Sequence, residues 1–235
     1  MPGDPYLPPA PERPFAREVG REPGRLRIGF GSVALNGVLA HPDCIAAVES
    51  TARLLEELGH EVEEVSPRVD SDLLFRSFGA VMTGFLGWSI KTWARRTGFT
   101  PRESDFEPAT WRTWLHSQAQ TGGDYLLAWH DLQSCCRQFA GFFATHDAWL
   151  TPTLVMPPVP LGYFDYTHDT RKQYLEHLGH FTSFTLIANA TGQPAISLPL
   201  HWARNEAGGS LPIGVQLTGR YGDETTLIRL AAQLE

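Results

Sequence analysis

Apolar and polar positions along the chain change period several times, and each change marks an element. Residues 26–31 (LRIGFG) alternate and run into glycine, which predicts a first strand. From Pro42 to Leu58 the period becomes helical, with Ile45, Val48, Ala52, Leu55 and Leu58 on one face. Pro42 suits a first helical position, Asp43 sits at the positive end of the helix dipole, and Gly59 follows as a stop. Alternation returns at 60–65 (HEVEEV), predicting a strand near 61–65. A strand–helix–strand unit favours a parallel pair joined by a right-handed crossover.

Residues 71–145 read as an aromatic-rich helical insertion with breaks at 98–101 and 121–123. Core packing is the expected role of Trp88, Trp93, Trp111, Trp114, Trp129, Phe139, Phe142 and Phe143; a wall of a substrate channel is the alternative. Beyond it, 147–151 reads as a short buried strand, 170–190 as a helix, and 194–200 and 213–218 as a hairpin turning at Gly208–Gly209. Asp223 is placed to cap a last helix, 224–235, with Leu227, Leu230, Ala231 and Leu234 inward. The predicted fold class is α/β, a mixed sheet flanked by helices on both faces. Residues 1–25 are proline-rich and interleaved with charges, so the expectation there is an extended strap ahead of one domain, 26–235.

Composition narrows the function classes. At 235 residues, 42% hydrophobic and 19% charged, the chain is an ordinary globular one able to bury a core. Its net charge of -7 repels phosphate backbones and Lys91 and Lys172 are its two lysines, so no nucleic-acid partner is expected. No run approaches ~18 uninterrupted apolar residues and the first residues lack a basic-then-apolar leader, so neither a membrane partner nor export is expected. Cys44, Cys135 and Cys136 cannot all pair internally; reduced thiols and a cytoplasmic location are the expectation.

Candidate chemistry is sparse. No Gly-x-Ser-x-Gly elbow or phosphate loop occurs. Ser89 and Lys91 stand two apart, on opposite sides of a helix, and make a poor nucleophile–base pair. His177 and His180 share a helix face with His168 nearby, yet no carboxylate or thiol completes a metal set. Cys135 and Cys136, with His130 upstream, read as inert buried thiols rather than a nucleophile. No cofactor is expected.

One set of segments is more informative. The run 189–200 (NATGQPAISLPL), then 211–220 (LPIGVQLTGR), then Asp223 and Glu224 before an apolar helix resembles the C-terminal signature of the amidase signature family. Upstream, 147–153 (DAWLTPT), 24–29 (GRLRIG) with 54–59 (LLEELG), and 3–6 (GDPY) match other family segments in family order. The resemblance implies the C-terminal half of an amidase, an incomplete part of that fold, whose complete form takes a small-molecule amide. It also implies that the family's serine nucleophile, cis-held second serine, lysine base and oxyanion loop lie in the other half, so this chain carries no catalytic residue. By motif position Thr153 and Asn189 are the candidates to face the substrate pocket, with Phe184. The spacing of Tyr174, Phe181 and Phe184 resembles the branch acting on aryl and linear aliphatic amides, cyclic dimers of nylon oligomers included. Three origins fit: a fragment of a longer frame, a natural half that partners a separate N-terminal amidase chain, or a non-catalytic module. The helix running to the last residue favours the first. An unpaired edge in such a half makes homo-oligomers a further expectation.

Overall fold

The computed structural model describes residues 9–164, 167, 170–204 and 208–235; the expected linker at 3–6 and His168 lie outside that range. The chain divides into two compact units. The first comprises residues 1–68, 139–158 and 183–235, the second 69–138 and 159–182.

The first unit holds a five-stranded open sheet. Strand β1 (Arg27–Phe30), helix α1 (Pro42–Glu57) and strand β2 (Glu61–Glu64) form the expected unit, with β1 and β2 parallel. His41, rather than an acidic residue, caps α1 by accepting the Asp43 N–H at 3.2 Å. Gly59 ends the helix at φ +94°, a left-handed conformation that a side chain would oppose. Strand β3 (Ala148–Pro152) lies parallel to β1 on its other side. Strands β4 (Ala195–Arg204) and β5 (Ser210–Gly219) form the hairpin, each longer than its alternation alone marked, and β5 runs antiparallel to β3. The order is β2-β1-β3-β5-β4. The last helix of the chain, α7 (Glu224–Leu234), is capped by Asp223, whose side chain accepts the Thr226 N–H.

One side of the sheet carries the main core. Ile28, Leu150, Val215 and Leu217 meet Ala47, Val48 and Leu55 of α1 and Leu227 and Leu230 of α7. Each of the valines, leucines and the isoleucine contributes roughly 1.5–3 kcal/mol on full burial, so this cluster dominates the unit's stability. Phe139 packs against the opposite side, edge-on to Trp149 with ring centroids 5.9 Å apart. Phe142 presses on β1 so closely that a Cβ on Gly29 would lie 2.6 Å from its ring.

The second unit is helical: α2 (Ser71–Thr97), α3 (Pro108–Ser117), most of α4 (Gly122–Phe142) and α5 (Arg171–Phe181). Helix α2 buries Leu74, Ser77, Val81, Thr83, Gly87 and Ile90 at helical spacing. It is long and apolar enough to cross a membrane by length and composition, which the absence of an uninterrupted apolar run had hidden. The reading of all eight aromatics as core is corrected. Phe139 and Phe143 are buried, whereas Trp88 and Trp93 are each 60% exposed.

Two expectations about the chain's course also change. The single helix at 170–190 is two, α5 and α6 (Leu186–Thr191), separated at Thr182–Thr185. Hydroxyl side chains there compete for backbone groups, as Thr182 Oγ1 does by donating to Leu178 O at 2.7 Å. The strap is not simply extended either, because a 3-10 turn forms at Phe15–Arg17. Glu18 behind it is 2% exposed, and Arg229 of α7 donates to its carboxylate at 2.6 and 2.8 Å. Arg13 adds a second cation at 3.2 Å and Arg21 a third at 3.8 Å.

Candidate functional site

Strands β3, β5 and β4 line up polar side chains on the face opposite the main core. Register pairs Trp149 with Thr218 and Thr218 with Ala195, then Thr151 with Gln216 and Gln216 with Ser197. Residues paired across a ladder point to the same side, so this face presents a polar row where the other presents Leu150, Leu217 and Ile196. Thr153 continues the row just beyond β3, its N–H donating to Gly214 O at 3.0 Å. Its hydroxyl lies 2.7 Å from that of Ser197, and the two close over Gly214. A Cβ there would stand 2.8 Å from each oxygen, so glycine is what lets the hydroxyls meet.

Buried polar atoms gather on the same face. Trp149 Nε1, Thr151 Oγ1 and Thr218 Oγ1 are buried without a hydrogen-bond partner among the described residues. Each such group costs ~1–3 kcal/mol, so this face keeps polarity that packing alone would select against.

The three expected pocket residues are not gathered at one point. Thr153 is half-buried in the hydroxyl pair. Asn189 is exposed on α6, and its Nδ2 donates backward to Thr185 O at 3.3 Å. Phe184 is placed differently from expectation, 1% exposed within the main core cluster, while its carbonyl accepts from Gln216 Nε2 at 3.3 Å. An aromatic ring beside the α5–α6 break gains more by closing that core than by lining an opening. Ser197 is the residue the sequence reading undervalued. Its place opposite Ile196 and Leu198 in the alternation, with glycine in the facing strand, is the signal that could have found it.

The other candidate chemistries have settled into plain roles. Burial, with Asp43 nearby, pushes the Cys44 thiol up to about 11. Burial likewise raises Cys135 and Cys136, against any thiolate role. Lys91 lies 5.9 Å from the centroid of the Trp114 ring, and Lys172 pairs with Glu176 on exposed α5. His177 and His180 are exposed on α5, and among the described residues no cluster suited to a metal forms.

One arrangement escaped the sequence altogether. Thr145 Oγ1 lies 3.0 Å from His146 Nδ1, and His146 Nε2 lies 2.9 Å from Glu63 Oε1. The order hydroxyl, imidazole, carboxylate is that of a hydrolytic triad. Here it works as a bracket, since His146 stacks on Phe142 at 4.2 Å and holds Glu63 of β2. That hydrogen bond, ahead of the charges of His146 and Arg27, holds the Glu63 carboxyl below its usual range. The second unit has a cavity of about 490 Å³ whose walls include Phe75, Leu175, Arg76, His116 and Asp124.

The amidase family model matches residues 1–228. The chain belongs to the amidase family. The 6-aminohexanoate-cyclic-dimer hydrolase of Paenarthrobacter ureafaciens is 28% identical over 251 residues, covering 100% of this chain and 48% of that protein. A protein of the same name from Pseudomonas sp. (strain NK87) gives the same identity and coverage. The solved structure of a 6-aminohexanoate cyclic dimer hydrolase superposes with a TM-score of 0.88 at 27% identity, over 100% of this chain and 50% of that one. A bacterial aryl acylamidase of the amidase signature family shares the fold, with a TM-score of 0.73 at 16% identity, over 94% of this chain and 45% of that one. This amidase-family chain therefore spans about half the length of the curated relatives it matches. Its mixed sheet is the part of the amidase signature fold that those relatives share with it.

Proposed function

We propose that this chain is the C-terminal portion of an amide hydrolase, supplying sheet, scaffold and one wall of the substrate pocket but not the reacting groups. The observation that supports this is the match itself, which takes in the whole chain and about half of each hydrolase. Amide hydrolysis needs a nucleophile, a base within about 3 Å and donors aimed at the oxyanion. The serines with described side-chain bonds point elsewhere: Ser50, Ser77 and Ser117 donate to carbonyls of their own helices, Ser183 accepts from Asn36, and Ser197 pairs with Thr153. The polar face ending in Thr153, Ser197 and Gly214 is the part of the chain equipped to meet an amide. Hydroxyls can orient a carbonyl or an N–H, and the glycine leaves room for the two to meet. The substrate class that the hydrolases' names suggest is a cyclic amide such as the 6-aminohexanoate dimer.

The test joins this chain to the portion of the Paenarthrobacter hydrolase that it does not match and assays the product on short aliphatic amides, anilides and the 6-aminohexanoate cyclic dimer. Thr153→Val should raise KM several-fold with kcat little changed, because a wall residue binds ground and transition states alike. Unchanged KM for Thr153→Val and Ser197→Ala in an active joined enzyme would remove this face from the pocket.

A further inference from the structure

Helix α2 changes character past its middle. Thr83, Gly87 and Ile90 recur there on a buried side. A Cβ on Gly87 would stand 2.6 Å from Ser117 Oγ of α3, and one on Gly84 2.7 Å from the Tyr125 ring of α4, so this side packs within the second unit. Met82, Phe85 and Trp88, at every third position, face away from it, and Trp93 continues them; all four are 45–60% exposed. Phe99 follows just past the helix, also exposed. Phe85 and Trp88 touch, with ring centroids 5.5 Å apart. Soluble proteins rarely leave so much adjoining apolar surface bare.

Charge sets this surface apart from the rest of the chain. The net charge is -7, yet between Asp72 and Glu103 the sequence holds Arg76, Lys91, Arg95, Arg96 and Arg102 and no carboxylate. Lys91 lies 5.9 Å from the Trp114 ring and Arg96 lies 5.7 Å from the Trp93 ring, so cations stand at the aromatic border. Among the described residues Lys91, Arg95 and Arg96 form no ion pair. Tryptophan and phenylalanine rimmed by cations match the chemistry of anionic headgroups over acyl chains. Indole rings settle at headgroup level, and long cationic side chains keep their heads in water while the rings sink. A protein partner would instead have to desolvate these three cations against carboxylates of its own, which is costly. The expectation of no membrane partner rested on the lack of a spanning run, which says nothing of a helix lying on a surface.

We propose that the stretch from Met82 to Phe99 is a docking surface for an anionic membrane leaflet. Met82, Phe85, Trp88, Trp93 and Phe99 enter the headgroup layer, and Lys91, Arg95 and Arg96 pair with the lipid phosphates and carboxylates. The helix lies on the leaflet rather than crossing it, because its Thr83, Gly87 and Ile90 side is already packed.

Vesicle flotation tests this with the purified chain and with the joined protein described above, on phosphatidylcholine vesicles with and without phosphatidylserine. Both proteins should float with the anionic vesicles and bind the neutral ones about tenfold or more weakly. Lys91→Ala/Arg95→Ala/Arg96→Ala should weaken binding to the anionic vesicles about a hundredfold. Trp88→Ser/Trp93→Ser should weaken it about tenfold or more. Trp202→Ser, which removes a comparably exposed tryptophan from β4, should leave it unchanged. All of these side chains except Lys91 and Arg96 stand clear of described ring partners, and unaltered melting temperatures check that the variants keep the fold. Equal binding to both kinds of vesicle, or equal weakening by Trp202→Ser, overturns the proposal. Flotation of the chain but not of the joined protein makes the remaining half of the amidase the occupant and overturns it. A dimer formed without lipid and abolished by Trp88→Ser/Trp93→Ser makes a second copy the occupant, with the same consequence. Binding to polyglutamate but to neither vesicle makes an acidic protein the occupant and is equally fatal. None of these readouts uses amide turnover, so the docking surface and the amidase reading fail separately.

Discussion

Replacing Gly214 with alanine probes the polar face with a single methyl group. The new Cβ would stand 2.8 Å from Ser197 Oγ, 2.8 Å from Thr153 Oγ1 and 3.3 Å from Thr153 Cβ. All three distances are shorter than ordinary contact, and Thr153 is tied down by its own N–H to Gly214 O. Overpacking of this degree costs about 1–3 kcal/mol. In a chain of this size each kcal/mol lowers the melting temperature by roughly 2–4 °C. The 2.7 Å hydroxyl pair must open to admit the methyl, so part of the cost belongs to Ser197. Ser197→Ala removes one of the two close oxygens, so the double variant Gly214→Ala/Ser197→Ala should be more stable than the sum of the single effects, by about 0.5 kcal/mol or more. Urea titration followed by tryptophan fluorescence supplies the four stabilities of the cycle. Additive effects would show that the methyl is accommodated without disturbing Ser197, and the close triangle of Thr153, Ser197 and Gly214 would be refuted.

Other expectations follow from separate parts of the chain. Glu18→Ala leaves Arg229 without its carboxylate and should destabilise by about 3 kcal/mol, read as a lowered urea midpoint; a change under about 0.5 kcal/mol, the scale of ordinary surface substitutions, would show the buried cluster to be idle. Cys44, raised to about 11, should resist thiol reagents at pH 8 until the protein unfolds, and rapid native labelling would contradict its burial. The lowered Glu63 carboxyl favours folding above its unfolded titration range, and this contribution is lost as pH falls through its folded value. Glu63→Gln should therefore flatten the acid limb of stability against pH, and an unaltered limb would refute the His146 bond.

The sheet was legible in the sequence because strand alternation and helix period each reflect one buried face. The hairpin and the strand–helix–strand unit satisfy that condition, as the Pro42 start and Gly59 stop of α1 illustrate. Legibility failed where tertiary contacts decide. Nothing local says that Phe184 turns into the core or that Trp88 and Trp93 stay exposed. Of the site, Thr153 was visible through its turn motif. Its partner Ser197 is 44 residues away along the chain, and the hydroxyl pair exists only because β5 holds Gly214 between them. The Thr145–His146–Glu63 bracket was hidden for the same reason, since Glu63 and His146 are 83 positions apart.

The central claim is that the reacting groups of this amidase-family chain are supplied from outside it. Hydrolysis of anilides and short aliphatic amides by the purified 235-residue chain, measured beside the joined protein, tests it most directly. The chain alone should show no turnover above background, and the joined protein should turn these amides over. Turnover by the chain alone that survives repurification and vanishes with one substitution, at Thr145, Ser197 or Cys136 for example, would contradict it.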